Sequence, residues 1–272
     1  MQPDSQQKPV VLITGATSGL GKALAEHLNQ KGYQVFGSSR NPDAQHPSFT
    51  FVRIDLADAS TIQTAVRDIV ARTGRLDIII NNAGVGIAGP LESLPADHMK
   101  QVLQANLLGL AYAMQTVLPV MRAQGSGKII NISSVASEVA LPFRSMYSAS
   151  KAAVNRMTEA MRMEVAPYGI QATSILIGDM RTPINQNRLM HHPGDDSVYA
   201  PVFERAAAAM NKEVDQGVPP EQIARQIEAL LQKKRLKKQY TMGKPLQRVA
   251  VYLARALPGN LFERLLRTYS KV

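Results

Sequence analysis

Short apolar runs alternate with amphipathic stretches along most of the chain. Pro9–Thr14 (PVVLIT), Tyr33–Ser39, Phe49–Ile54, Leu76–Asn81, Lys128–Ser133 and Ile170–Ile177 have the length and composition of buried strands. Between them, Leu20, Ala23, Leu24 and Leu28 recur at the spacing of one helix face, and Gly32 supplies a stop. Ile62, Ala65, Val66 and Ile69 mark a second helix over Asp58–Thr73, and the pattern predicts further helix over Pro95–Ala123 and Ser145–Tyr168. Strands alternating with helices imply right-handed crossovers, so the expected class is α/β, a doubly wound parallel sheet covered on both faces.

The rhythm breaks over Gly178–Pro220, a proline-containing excursion with helical character only at Val202–Val214. It follows a strand, and in such sheets ligands bind beyond the carboxyl ends of strands. Beyond it the pattern predicts a helix over Pro219–Arg235, a short strand over Gln239–Met242, and helices over Pro245–Leu257 and Leu261–Tyr269. The chain reads as a single domain, 1–272, with a core over 9–182, a substrate loop over 183–220 and an extension over 221–272.

Composition narrows the chemistry. The 272 residues include no cysteine, which excludes disulfides, thiolate metal sites and thiol nucleophiles. His191-His192 lacks partnered carboxylates, so no metal site is expected. The amino terminus has no apolar leader pattern, and no run approaches the ~18 apolar residues of a membrane span. The expected location is the cytoplasm. The net charge of +10 is unevenly placed: residues 221–272 hold 12 Lys and Arg against 3 Asp and Glu, leaving 19 against 18 in residues 1–220. The body is thus near neutral at +1 and the tail carries +9. No nucleic-acid motif or aromatic interleaving accompanies that charge, and none is expected to bind.

The first strand runs into Thr14-Gly15-Ala16-Thr17-Ser18-Gly19-Leu20-Gly21, and a helix follows at once. Glycines allow a tight turn and close backbone approach, and a helix amino terminus offers free N–H groups to a phosphate. In this strand–turn–helix context the pattern points to dinucleotide binding. Here the sequence resembles the short-chain dehydrogenase/reductase family, over most of residues 9–182. The resemblance rests on TGATSGLG (14–21), NNAG (81–84), Asn106, Ser134 and Tyr147-x-x-x-Lys151, in that order. It implies a Rossmann fold, a nicotinamide cofactor, and cofactor contacts from Gly15, Thr17, Ser18, Gly19, Leu20 and Gly21.

Arg40 follows the second strand where an acidic residue would bind the ribose hydroxyls of NAD. A guanidinium there pairs with a 2′-phosphate, which favours NADP(H) over NAD(H). Ser18 occupies a position that is basic in some NADP-preferring relatives, and so adds nothing to that preference. The resemblance places Asp55 and Leu56 against the adenine, Asn82, Ala83 and Gly84 beside the adenosine ribose, and Gly178 and Thr182 near the nicotinamide. Ile177 stands where relatives have proline. For Asn81 and Asn82 a purely structural role weighs equally with a direct contact.

Tyr147 and Lys151 are four residues apart on a predicted helix, so they share a face. A tyrosine, ordinarily near pKa ~10, becomes a usable proton donor and acceptor when a nearby ammonium favours its phenolate. Ser134, 13 residues before Tyr147, is selected over its neighbour Ser133 by the family's spacing, and its hydroxyl would hold the substrate oxygen. The resemblance gives Asn106 a helix kink and a water-mediated proton relay to the lysine, and assembly of copies through the helices that include Asn106 and Tyr147. The implied reaction is hydride transfer between nicotinamide and a carbonyl or carbinol carbon. The alternative is a nucleotide-sensing or scaffold protein of the same fold without turnover.

Val85–Ile87, Val135–Ser137, Leu141–Met146 and the excursion are the expected pocket walls, with Leu141, Phe143, Met146, Met180, Leu189 and Met210 facing a hydrophobic carbonyl or alcohol of steroid, retinoid or lipid type. Core filling explains those methionines equally well. In the last helix Leu261, Phe262, Leu265, Leu266 and Tyr269 form an apolar stripe with Arg264, Arg267 and Lys271 off it. Packing on the body or a second subunit is the first reading of that stripe. Peripheral contact with an anionic membrane is the other.

Overall fold

The structure is a computed structural model, and it describes residues 8–41, 45–182 and 188–272. Strands β1 (Val10–Ile13), β2 (Gln34–Ser39), β3 (Thr50–Arg53), β4 (Ile78–Asn81), β6 (Gly127–Ser134), β7 (Ile170–Ile177) and β9 (Gln239–Met242) form one sheet, while β5 (Ile87–Ala88) pairs with β8 (Leu189–Met190) apart from it. The order in the large sheet is β3-β2-β1-β4-β6-β7-β9, and every pairing is parallel. The chain winds outward in one direction through β2 and β3 and in the other from β4. The switch point therefore lies between β1 and β4, where Ile13 opposes Ile80. An open parallel sheet presents its ligand crevice at the carboxyl ends beside such a point.

Both faces of the sheet are covered. On one, α1 (Gly19–Gln30) and α7 (Pro220–Leu231) bury Leu24, Leu28, Ile223 and Ile227 against Val11, Ile13 and Ile80. On the other, α2 (Ala59–Thr73), α4 (Gly109–Gln124) and α5 (Ser145–Val165) bury Ile62, Ile69, Val117 and Val154 against Leu12, Ile79 and Ile129. Strands that bury alternate residues into opposite cores have no polar face, which is why their sequences read as unbroken apolar runs. The predicted first and second helical stripes are the buried faces of α1 and α2. Asp58 caps α2 by accepting from the Ser60 amide at 2.9 Å, and Gly74 ends it at φ +74°.

The helical stretches expected over Pro95–Ala123 are α3 (Ala96–Leu103), a π-helical turn over Gln104–Leu108, and α4. Two expectations change. The helix expected to reach Arg235 ends at Leu231, because Leu236 turns back into the core and takes the Gln171 side-chain oxygen on its amide at 2.8 Å. The excursion carries a longer helix than expected, α6 (Ala200–Asp215), and its first residues, 183–187, lie outside the described ones. Two helices end the chain, α8 (Pro245–Ala256) and α9 (Gly259–Ser270).

Candidate active site

The glycine-rich turn is held from both neighbouring strands. The Thr14 hydroxyl accepts from the Asn82 and Ala83 amides, each at 3.0 Å, and the Asn82 side chain donates to the Thr14 and Gly15 carbonyls at 3.0 and 3.1 Å. On the other side Ser38 accepts from the Gly15 amide at 3.0 Å. Asn82 thus fastens the turn, and Asn81 bonds to Asn131 at 2.8 Å inside the sheet. Gly15 and Gly19 take φ of +69° and +54°, which side chains rarely adopt. At Gly21 a Cβ would stand 2.1 Å from the Gly15 carbonyl oxygen. That position needs glycine so that α1 can approach the turn.

The first turn of α1 carries no acidic residue, and Ser18 makes no side-chain cap bond. Its amides are free for an acceptor, and the helix dipole is uncompensated there. These groups open onto a cavity of about 1290 Å³ at the carboxyl ends of the strands. Of the site residues expected from sequence, all but Gly21 and Asn106 line it. Those two stand behind the wall: Gly21 against the turn and Asn106 against Gly84, whose added Cβ would lie 3.0 Å from Asn106 Oδ1. Arg40 reaches the cavity from the end of β2 with its side chain exposed.

The π-helical turn aims Asn106 inward. The extra residue in a π turn rotates the helix face, and fully buried Asn106 accepts from the Val85 amide at 2.7 Å while donating to the Val85 carbonyl at 2.9 Å and to Ser150 at 3.1 Å. Ser150 in turn donates to the Tyr147 carbonyl at 2.7 Å. The asparagine therefore ties the loop after β4 to the helix that carries Tyr147 and Lys151.

At the end of β6 both neighbouring serines border the cavity, but their hydroxyls part: Ser133 donates to the Lys151 carbonyl at 3.2 Å, whereas Ser134 stands beside the Tyr147 phenol and accepts from the Ala136 amide at 3.1 Å. Buried Lys151 donates to the Ile132 carbonyl at 3.0 Å, and burial lowers its pKa to about 8. Burial pushes the pKa of the Tyr147 phenol upward, and the hydrogen bond with Ser134 and the positive charges of Arg144 and Arg188 oppose that without reversing it.

The substrate half of the cavity also differs from expectation. Leu141, Met180 and Leu189 line it. Phe143 does not: its ring packs edge-on to Phe203 with centroids 5.3 Å apart. Met146 joins the Ile87, Leu94 and Val102 cluster, and Met210 is in the core. Their place is taken by the tail. Leu246, Ala250 and Leu253 of α8 and Phe262, Leu265, Leu266 and Tyr269 of α9 close the chamber. Gln247 locks α8 down by accepting from the Asp179 amide at 3.1 Å and donating to the Asp179 carboxylate. The stripe on the last helix packs in part on the body, its first reading from sequence, with Phe262 and Leu266 against Val139, Leu176 and Val251; its place over the chamber was not singled out. Arg144, Asp179 and Arg188 lie in the segments expected to wall the pocket and line it, but the sequence did not single them out, although Arg144 stands one helical turn before Tyr147, a spacing that places both on one face.

Free helix amides, a turn with no room for side chains and a Tyr–Lys–Ser cluster in one crevice fit a dinucleotide and define a nicotinamide-dependent oxidoreductase of Rossmann type. The chain belongs to the short-chain dehydrogenase family, whose model matches residues 9–192. It is 34% identical to a 3-ketodihydrosphingosine reductase of Bacteroides thetaiotaomicron, over 97% of this chain and 98% of that one. Among solved structures, a short-chain dehydrogenase from Streptomyces avermitilis superposes with a TM-score of 0.80 at 27% identity, covering 98% of this chain and 97% of that one. A short-chain dehydrogenase from Burkholderia cenocepacia in complex with NADP superposes with a TM-score of 0.74 at 28% identity, covering 96% and 98%.

Proposed function

We propose that the protein is an NADP(H)-dependent oxidoreductase acting on a hydrophobic carbonyl or alcohol of lipid, steroid or retinoid type. The observation that carries this is the shared wall: Tyr147, Ser134 and Lys151 line the same cavity as the glycine-rich turn, and Leu141, Met180, Leu189 and the tail helices give its other end a largely apolar wall. When bound, the cofactor supplies or accepts the hydride at its nicotinamide ring. Tyr147 gives or takes the proton at the substrate oxygen, and the Ser134 hydroxyl holds that oxygen beside the phenol. Lys151 places a positive charge near the reaction centre and binds the nicotinamide ribose. Arg40 receives the 2′-phosphate, and Thr182 holds the carboxamide. The solved relative in complex with NADP supports the cofactor, and the relative named for a keto-sphingoid substrate supports a lipid ketone.

The test is NADPH consumption across long-chain ketones, fatty aldehydes, steroids, retinals and quinones. Oxidation with at least one class is expected. NADPH binding with no turnover of any class would move the assignment to a silent nucleotide-binding protein.

The tail supports a second statement, that the protein docks peripherally on anionic lipid. On α8 and α9 Leu246, Val249, Tyr252, Leu261 and Leu265 are solvent-exposed, and both helices carry arginines against one acidic residue, Glu263. A basic amphipathic surface of this kind suits a lipid headgroup layer. Among the described residues no helix is long and apolar enough to cross a membrane.

A further inference from the structure

The chamber beside Tyr147 holds two guanidiniums with little to bind. Arg144, at the amino end of α5, lines the cavity together with Arg188, which precedes β8. Among the described residues the Arg144 side chain makes no hydrogen bond, and Arg188 makes one, from Nη1 to the Asn211 side-chain oxygen at 3.2 Å. Neither is within 4.0 Å of a described carboxylate. Asp179 is the acidic group nearest in influence, and its carboxylate already accepts from Gln247. Glu213, which also faces this region, is paired with Lys244 at 3.0 Å.

Two like charges half-buried side by side in one cavity are costly unless a counter-charge joins them. The cost is visible at Arg188, where burial and the Arg144 charge bring the pKa down to about 10. A guanidinium is a planar fork suited to carboxylate, sulfonate or phosphate oxygens. The neighbours of the pair are Tyr147, where the carbonyl reacts, and the apolar wall of Leu141, Leu189, Ala250 and Phe262.

We propose that Arg144 and Arg188 form an oxyanion subsite that recognises an acidic head group a few atoms from the substrate's reacting carbon, the apolar chain lying along α8 and α9. The inference rests on the assignment of this chamber to the substrate, and it narrows the substrate class to acidic amphiphiles.

Binding of unreactive probes tests it without relying on turnover. Decyl sulfonate and decanol, below their aggregation concentrations, are titrated into the NADPH-loaded protein by calorimetry. Sulfonate is expected to bind at least tenfold tighter, about 1.4 kcal/mol, and Arg188→Gln and Arg144→Gln are each expected to remove most of that preference. Arg188 lies outside the regular elements, so its variant serves if Arg144→Gln fails to fold. Equal binding of the two probes, or a preference that survives the substitutions, overturns the subsite. A loss confined to NADPH affinity in the same variants also overturns it, because it assigns the pair to the cofactor's phosphates. Failure of the oxidoreductase reading would appear separately, as absent NADPH oxidation with every ketone.

Discussion

At the scale of single residues, the site is a set of charges and hydroxyls whose burial decides their behaviour. Tyr147→Phe removes the hydroxyl that the proposed reaction uses as proton donor and acceptor while keeping the ring. Turnover should fall by about 10²–10⁴ with NADPH binding retained, as read by steady-state rates and cofactor fluorescence. Arg40 is exposed and lines the adenosine end of the cavity. If Arg40 is the proposed 2′-phosphate partner, Arg40→Asp puts a repelling charge in its place, so NADPH affinity should fall by tenfold or more, about 1.4 kcal/mol, with NADH affected less. An equal loss for both would detach Arg40 from the 2′-phosphate. Lys151 makes a prediction about stability. Its folded pKa of about 8 lies below the ordinary lysine value of 10.5. Below pH 8 both states are protonated and the cost of burying the ammonium is fully present. Between about 8 and 10.5 the unfolded chain holds a proton that the folded one has released, so stability gains from this group as pH rises. Lys151→Met should therefore be more stable than the parent at pH 7, with the gap narrowing above pH 8 in denaturant titrations of the cofactor-free protein.

Among the elements, the glycine-rich turn and the π-helical turn show where sequence speaks and where it does not. The turn was legible because its constraints are local: a strand end, a helix start and glycines where φ is positive or a Cβ has no room. Gly21→Ala would force the turn and α1 apart, since the added carbon meets both the Gly15 carbonyl and the Asn82 side chain. A destabilisation of about 1–3 kcal/mol should accompany at least tenfold weaker NADPH binding, measured by thermal melting and fluorescence titration. The irregularity at Asn106 falls where the resemblance placed a kink, but its π form was not legible in the helical pattern of QANLLG, and only the tertiary pull of Val85 and Ser150 on Asn106 shows why the helix widens. Ser134 was identifiable by spacing, yet the reason Ser133 is unavailable, its bond to the Lys151 carbonyl, needed three dimensions. Phe143, Met146 and Met210 were expected at the pocket because they are apolar and in the right segments. Periodicity records which residues avoid water, but not whether a core or a chamber accepts them.

In the whole molecule, the division of charge acquires a location. The near-neutral body carries the crevice, and the basic tail forms its roof. Leu246, Leu265 and Tyr269 line the cavity from inside and are 65%, 49% and 42% exposed to solvent, so this roof is thin and apolar on both sides. Phe262 and Leu266 pack toward Val139, Leu176 and Val251, which anchors α9 without hiding its outer residues. An outer surface with exposed leucines, Tyr252, Arg248, Arg264 and Arg267 has charge complementarity with an anionic bilayer, and a lipid that partitions there meets the chamber across a single layer of helices. The protein should co-float with vesicles containing phosphatidylserine at low ionic strength, bind weakly to purely phosphatidylcholine vesicles, and be released as salt rises and screens the arginines. Leu261→Ser with Leu265→Ser should reduce flotation through lost apolar insertion, and Arg264→Gln with Arg267→Gln through lost headgroup attraction. Indifference of the parent protein to anionic vesicles would leave the exposed stripe without a lipid role and return it to contact between copies of the chain, which sedimentation would detect as a concentration-dependent change in mass.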